Sequence, residues 1–365
     1  MKGSINFIRQ HILDLPPYQP VFPLDVLSDE LGIPIEKLTK VDANENPFGP
    51  LPEVKTALSA MNSLHIYPDP ESRRIRNLLA EYHNIPGDTI VIGAGADELI
   101  DLIMRITLDP GDRIVNCPPT FGMYAFDGIL NQAQVISVQR NQDFSVNIQE
   151  LKMAVSSKKP KILFLATPNN PDGGSITREE FQQIINLPIL VVLDEAYVEF
   201  SEQGKTYIPE VFEYPNLIIL RTFSKWAGLA GLRIGYGVFP QEIVPLILKA
   251  KQPYNVSVVA EEAAIVTMQN LPKAMQRIRK IMEQRQWLFD ELLQIPGISP
   301  YPSQANFILC KVMNGSAMKI WDQLRKKGIL IRYFDKPGLQ DHIRISIGTK
   351  AQNQLLLSTL KGFSK

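Results

Sequence analysis

Six short, continuously apolar runs, TIVIG, RIVNC, AQVISV, KILFLA, ILVVL and NLIIL, constrain the fold of this chain more than any other feature. Helix-like stretches separate them between about residues 47 and 265. An unbroken apolar run, unlike one that alternates with polar residues, marks a strand buried on both faces, as in a parallel sheet between helix layers. The expected core is therefore α/β with a mostly parallel central sheet. Ahead of it, LDLPPYQPVFP reads as an extended arm with one short helix at PLDVLSDELG. Behind it, a long polar helix candidate, AMQRIRKIMEQRQWLFDELLQI, leads to NFILCKV, a helix at SAMKIWDQLRKKG, and HIRISIG. The expected organisation is an arm over 1–46, a large domain over 47–265 and a smaller α+β domain over 266–365.

The bulk numbers narrow the class. At 365 residues, 45% hydrophobic and 21% charged, the chain can bury an ample core. With 38 basic and 38 acidic side chains it carries no electrostatic footprint for nucleic acid or an anionic membrane. Two cysteines make no disulfide framework and suit a reducing cytosol. Four histidines stand without ligand spacing, so no metal site is expected. MKGSINFIRQHILDL lacks the apolar centre of a signal peptide, and no run approaches the roughly 18 apolar residues of a membrane span. These features read as a cytoplasmic metabolic protein.

In open α/β sheets, ligands gather outside the carboxyl ends of the strands. Here those ends read GAGADELI, CPPTFGMY, TPNNPDGG, DEAYVEF and RTFSKWAG, each rich in groups that a polar ligand would use. GAGADELI opens a helix, where backbone N–H groups and the dipole favour an anion such as phosphate; a plain tight turn would need the same small residues. A dinucleotide fingerprint is disfavoured, because Glu98 stands at the third glycine position. Asp194, at the exit of a buried strand, needs a partner: it is either a helix cap or the counter-ion of a protonated ring nitrogen, with Tyr197 donating to a ring oxygen. Asn169 and Asn170 between prolines make an ordinary turn or hold a ring substituent, and Phe121 is a core aromatic or a stacking partner for a flat cofactor. Lys225, eight residues before Arg233 in RTFSKWAGLAGLRIGYG, reads from this stretch alone as a phosphate clamp, a Schiff-base nucleophile or a solvated cation.

Taken together, PNNP, DEAY and SKxxGLxGLR, in that order, resemble the aspartate-aminotransferase fold-type-I family of pyridoxal-5′-phosphate (PLP) enzymes, and the likeness covers nearly the whole chain. The resemblance implies that Lys225 is the Schiff-base lysine and that Ser224, Arg233, Ala96 and Asp97 bind the cofactor phosphate. It gives Asp194 the pyridine nitrogen, Asn170 and Tyr197 the ring oxygen, and Phe121 the ring face. Tyr67 would reach the phosphate of the neighbouring subunit's cofactor, which implies a homodimer with shared active sites. Tyr18, Asn170, Arg332 and Arg344 would line the substrate site, the arginines suiting carboxylate or phosphate.

Further motifs narrow the likeness within that family: PPYQP, DANENPFGP, IYPDP, GADE and IRYF…HIRISIG. They imply histidinol phosphate, glutamate and 2-oxoglutarate as substrates in histidine biosynthesis. An aromatic aminotransferase or a threonine-phosphate decarboxylase shares most of them. A PLP-binding regulator would be expected to carry a basic DNA-binding domain ahead of the PLP domain, and the short arm and neutral charge argue against it. Two positions depart from the family pattern: Asp172, where Thr is common, and Trp226, where a small residue is common.

Overall fold

The computed structural model describes residues 3–15, 22–201, 206–313 and 315–363. All six apolar runs form strands of one seven-stranded sheet: β2 (Ile90–Gly93), β3 (Arg113–Asn116), β4 (Gln134–Ser137), β5 (Ile162–Ala166), β6 (Leu190–Asp194) and β7 (Leu217–Thr222). The seventh strand is β8 (Gly235–Val238), and the order across the sheet is β2-β8-β7-β6-β5-β3-β4. Only β8 runs opposite to the other six strands. Every residue of β5 and β7 is buried, as strands covered on both faces require. The ends of β2, β3, β5, β6 and β7 therefore share one edge.

Strand β8 lies outside the six apolar runs, in the glycine-rich stretch after Lys225. The glycines are what allow the strand. A Cβ at Gly235 would lie 2.7 Å from the Ala96 nitrogen and 2.8 Å from the Arg221 oxygen, closer than real Cβ atoms come. A side chain here would push β8 away from the β2 turn, so Gly235 lets two backbones meet beside the site.

The arm contains the expected helix, Leu24–Leu31, ended by Gly32 in the left-handed region at φ 64°. Beyond it, β1 (Thr39–Lys40) pairs in parallel with β11 (Ile329–Leu330), joining the arm to the C-terminal part of the chain. That part holds a four-stranded antiparallel sheet, in order β12-β13-β10-β9, made of β9 (Ile298–Pro300), β10 (Phe307–Val312), β12 (Arg332–Tyr333) and β13 (His342–Ser346). The long helix Leu271–Leu293 packs beside it. From that helix the buried Arg285 donates to Phe200 O at 2.8 Å and Ala305 O at 2.9 Å, tying the chain after β6 to the segment before β10. No helix among the described residues is long and apolar enough to cross a membrane.

Candidate active site

The strand ends converge as the apolar pattern requires. After β2, Gly95 takes φ 84° and the helix Ala96–Thr107 begins, leaving its first N–H groups free of intrahelical partners. That φ strains any side chain, and a Cβ there would meet Arg233 Nη2 at 2.5 Å, displacing the guanidinium from the turn. Arg233, itself at φ 53°, donates from Nη1 to Ser224 Oγ at 3.3 Å and from Nη2 to Asp97 Oδ2 at 2.7 Å. Ser224 is fixed in turn by Thr222, whose Oγ1 donates to Ser224 Oγ at 3.0 Å. Ser224, Arg233, Ala96 and Asp97 thus form one cluster. Asp97 brings a carboxylate to it, so only its backbone can favour an anion. Glu98, which breaks the dinucleotide pattern, accepts the Ala94 N–H and the Asn255 amide, both at 2.6 Å.

Asp194, at the end of β6, is 5% exposed. Its Oδ1 accepts the Ala196 N–H at 3.0 Å and its Oδ2 accepts the Tyr124 hydroxyl at 2.7 Å. Burial pushes its carboxyl up to about 6, although the Tyr124 and Ala196 hydrogen bonds and the charge of Lys225 pull the other way. Tyr124 was not singled out from the sequence. The signal was available: a buried carboxylate needs donors, and Tyr124 lies in CPPTFGMY after β3, one strand beyond β5 on the same edge of the sheet. Phe121 meets Tyr124 edge-on at 5.5 Å, half-buried at the same edge.

Lys225 is half-buried, with Nζ 6.0 Å from the centre of the Tyr197 ring and 3.4 Å from Ala43 O. Trp226 turns into the core against Phe223, while its carbonyl accepts the Asn46 amide at 2.8 Å. Both bonds draw the DANEN segment of the arm over the site.

Asn169 and Asn170 divide their work. Asn169 is fully buried and accepts from Thr120 Oγ1 at 2.7 Å; its amide donates to Pro119 O at 3.1 Å and to Asp172. Asp172 also accepts the Gly174 N–H at 2.8 Å, so the departure at this position closes the turn from inside. Asn170 instead accepts from Arg344 Nη1, while Arg344 Nη2 donates to Asp42 O at 2.7 Å. Arg332 stands directly opposite Arg344 across the β12–β13 ladder. Both guanidinium groups lie over Phe334, at 5.8 and 5.6 Å from the ring centre.

Lys225 lies over Tyr197 and Arg344 bonds Asn170, Phe307 touches both the Tyr197 ring and the Arg344 guanidinium, and Tyr124 joins Asp194 to Phe121. Tyr67 stands apart: it is 78% exposed and stacks on Tyr254 at 4.6 Å. Tyr18 lies outside the described residues.

Comparison with known proteins follows the same lines. Residues 36–360 match the family model described as aminotransferase class I and II. A chloroplastic histidinol-phosphate aminotransferase of Nicotiana plumbaginifolia is 51% identical over 359 residues, covering 98% of this chain and 86% of that protein. The histidinol-phosphate aminotransferase of Roseiflexus castenholzii is 46% identical over 370 residues, covering 99% of both. Among solved structures, the histidinol-phosphate aminotransferase of Sinorhizobium meliloti in complex with pyridoxal-5′-phosphate superposes with a TM-score of 0.90 at 27% identity, covering 100% of this chain and 99% of that one. An L-threonine-O-3-phosphate decarboxylase of Porphyromonas gingivalis shares the fold, with a TM-score of 0.78 at 24% identity over 88% of this chain and 98% of that one. The family model and the relatives agree, and the chain belongs to the class I and II aminotransferases and, within them, to the histidinol-phosphate aminotransferase family.

Proposed function

We propose that this protein transfers the amino group of L-glutamate to imidazole-acetol phosphate, giving L-histidinol phosphate and 2-oxoglutarate in L-histidine biosynthesis, with PLP as its cofactor. The observation that carries the substrate reading is the pair Arg332 and Arg344, opposed across two strands, with Arg344 bonded to Asn170. Like charges placed directly opposite in a sheet repel, so an anion between them relieves the ladder. Histidinol phosphate carries its negative charge as phosphate and glutamate as carboxylate. Planar guanidinium forks accept either without titrating.

The residues present fit the cofactor. A phosphate group suits the cradle where the Gly95 turn brings Arg233 close and where helix N–H groups lack intrahelical partners, with Ser224, Arg233, Ala96 and Asp97 as its holders. Asp194 is a buried carboxylate whose raised titration leaves it awaiting a cation, which a protonated ring nitrogen provides. When bound, PLP supplies the electron sink that stabilises negative charge at the substrate's Cα. Asp194 holds the positive charge at the ring nitrogen, Asn170 and Tyr197 address the ring oxygen, and Phe121 covers the ring face. Lys225 anchors the cofactor and moves the proton at the substrate's Cα, work that side-chain acid–base catalysis speeds roughly 10²–10⁴-fold. Tyr18, Arg332 and Arg344 orient the substrate.

We also read the protein as a homodimer in which Tyr67 completes the partner's phosphate site. Its exposure, together with that of Leu64 and Ile66, leaves an apolar surface for a second copy. The arm over 1–46, the large domain over 47–265 and the small domain over 266–365 remain our division of the chain. Two free, buried cysteines suit the reducing cytoplasm; burial pushes the Cys117 thiol up to about 11 and the Cys310 thiol up as well.

Stopped-flow half-reactions against glutamate, histidinol phosphate, phenylalanine and threonine phosphate test the reading. The expected result is the highest kcat/KM with histidinol phosphate and no release of CO₂. Preference for phenylalanine makes it an aromatic aminotransferase, and CO₂ from threonine phosphate makes it a decarboxylase.

A further inference from the structure

Asn44 sits in the DANEN segment of the arm, 2% exposed and at φ 56°, a left-handed conformation that asparagine tolerates better than most residues. Each of its polar groups is engaged. The backbone N–H donates to Ser346 Oγ at 2.8 Å, and the carbonyl accepts the Asn306 amide at 2.9 Å. The Ser346 hydroxyl donates to Asn44 Oδ1 at 3.0 Å, which turns the amide nitrogen the other way. That nitrogen donates to the Tyr197 hydroxyl oxygen at 3.1 Å. A phenol has one proton to give. With its oxygen accepting from Asn44, Tyr197 has its own O–H left to donate, and it donates to no group among the described residues. Edge-on packing against Phe307 at 5.1 Å holds the ring that carries it.

We propose that Asn44 is a positioning residue for transamination: its amide, locked by Ser346, fixes the Tyr197 hydroxyl as a donor aimed at the cofactor's ring oxygen. This rests on the reading of Tyr197 given above. The charged groups around this pair are Lys225, beside the Tyr197 ring, Asp194 and Asp97 across the site, and Arg344, which lies over Phe307. Among the described residues Lys225, Asp194 and Asp97 make no hydrogen bond to the Tyr197 hydroxyl, whereas Asn44 donates to it and so sets its direction.

The test uses the cofactor-loaded dimer and the pH midpoint of its visible absorption band. A hydrogen bond donated to the ring oxygen competes for the proton shared with the neighbouring nitrogen. Losing that bond raises the midpoint, by about one pH unit for a hydrogen bond to a charged group. Asn44→Gly suits the left-handed backbone and adds no charge. It is expected to raise the midpoint and lower kcat with little change in KM. In a Tyr197→Phe background it should move the midpoint no further. Asn44→Asp provides a second variant: its carboxylate turns the Tyr197 proton toward itself, so its shift should shrink once Tyr197 is Phe. A merely structural Asn44 would lower Tm and leave the midpoint in place, and that result overturns the proposal. Equal shifts with and without the Tyr197 hydroxyl overturn it too. A midpoint unmoved by Tyr197→Phe alone removes the Tyr197 reading and the Asn44 proposal with it.

Discussion

Tyr124 donates its hydroxyl to Asp194 Oδ2 at 2.7 Å, from the helix after β3 to the end of β6. The bond joins two strand ends and holds a carboxylate that burial would otherwise drive further toward its neutral form. That leaves an electrostatic strain that Lys225 and the two hydrogen bonds offset only in part.

A stability test follows from that strain. An unfolded aspartate titrates near 4, whereas burial brings folded Asp194 up to about 6. A raised value means that the fold favours the proton. The stability contributed is present below about pH 4 and is lost as pH rises to about 6. Two units correspond to about 3 kcal/mol. In cofactor-free protein, Asp194→Asn is expected to raise Tm at pH 7–8 and to leave it unchanged near pH 4, while the loaded variant loses most turnover. Scanning fluorimetry across pH checks this, and a Tm difference that does not vary with pH refutes it.

Behind the site, Arg221 bridges Glu195 at 3.1 Å and Glu199 at 2.7 Å, all three side chains nearly inaccessible. Burial pushes both glutamates up, and Arg221 pulls them back. Glu195 keeps Thr206 and the Tyr207 N–H as further donors, whereas Glu199 Oε2 has none among the described residues. Arg221→Met strands two buried carboxylates and is expected to cost about 3–5 kcal/mol in urea unfolding. Glu199→Gln should cost far less, since Arg221 keeps Glu195 and the amide oxygen still accepts. Equal losses would mean that the cluster is held by packing.

The strand ends were legible because burial on both faces imposes unbroken apolarity, and ligand chemistry crowds the residues that follow. Lys225, Asp194 and Asn170 stand where that logic looks, and family likeness gave them their roles; Arg344, inside β13 of the smaller sheet, was named by family likeness alone. Strand β8 was hidden because its requirement is close backbone approach, which selects glycine and erases the apolar run. Asn44 was hidden for another reason, and Tyr124 is legible only through the need of buried Asp194 for a donor. Both bond to site residues across sequence separations that no periodicity records. Asp172 looked like a departure of unknown effect, and only its bonds to Asn169 and Gly174 show it closing the turn.

Tyr67 makes the dimer testable. Lys225→Ala subunits and Tyr67→Phe subunits each carry one lesion per site. If Tyr67 serves the partner's site, a hybrid dimer has one site with both lesions and one with neither. Activity after proven subunit exchange is expected to exceed that of either parent. Activity that stays at the parental level assigns Tyr67 to its stack on Tyr254 alone.

Arg332 offers the sharpest separation of stability from function. It faces Arg344 across the ladder, and no described acid side chain pairs with it. Such a like-charge pair costs a sheet roughly 0.2–1 kcal/mol. Arg332→Ala should therefore leave the Tm of ligand-free protein unchanged or slightly higher. Catalysis should move the other way. Truncating one partner of a desolvated charge pair costs about 2–5 kcal/mol, a loss of roughly thirtyfold or more in kcat/KM. The loss is expected to be larger for histidinol phosphate, whose phosphate carries up to two charges near neutral pH, than for phenylalanine, whose carboxylate carries one. Inorganic phosphate should also inhibit the wild type more strongly than the variant. Equal losses for the two donors, with inhibition by phosphate unchanged, would place Arg332 in the β12–β13 ladder and outside the anion site.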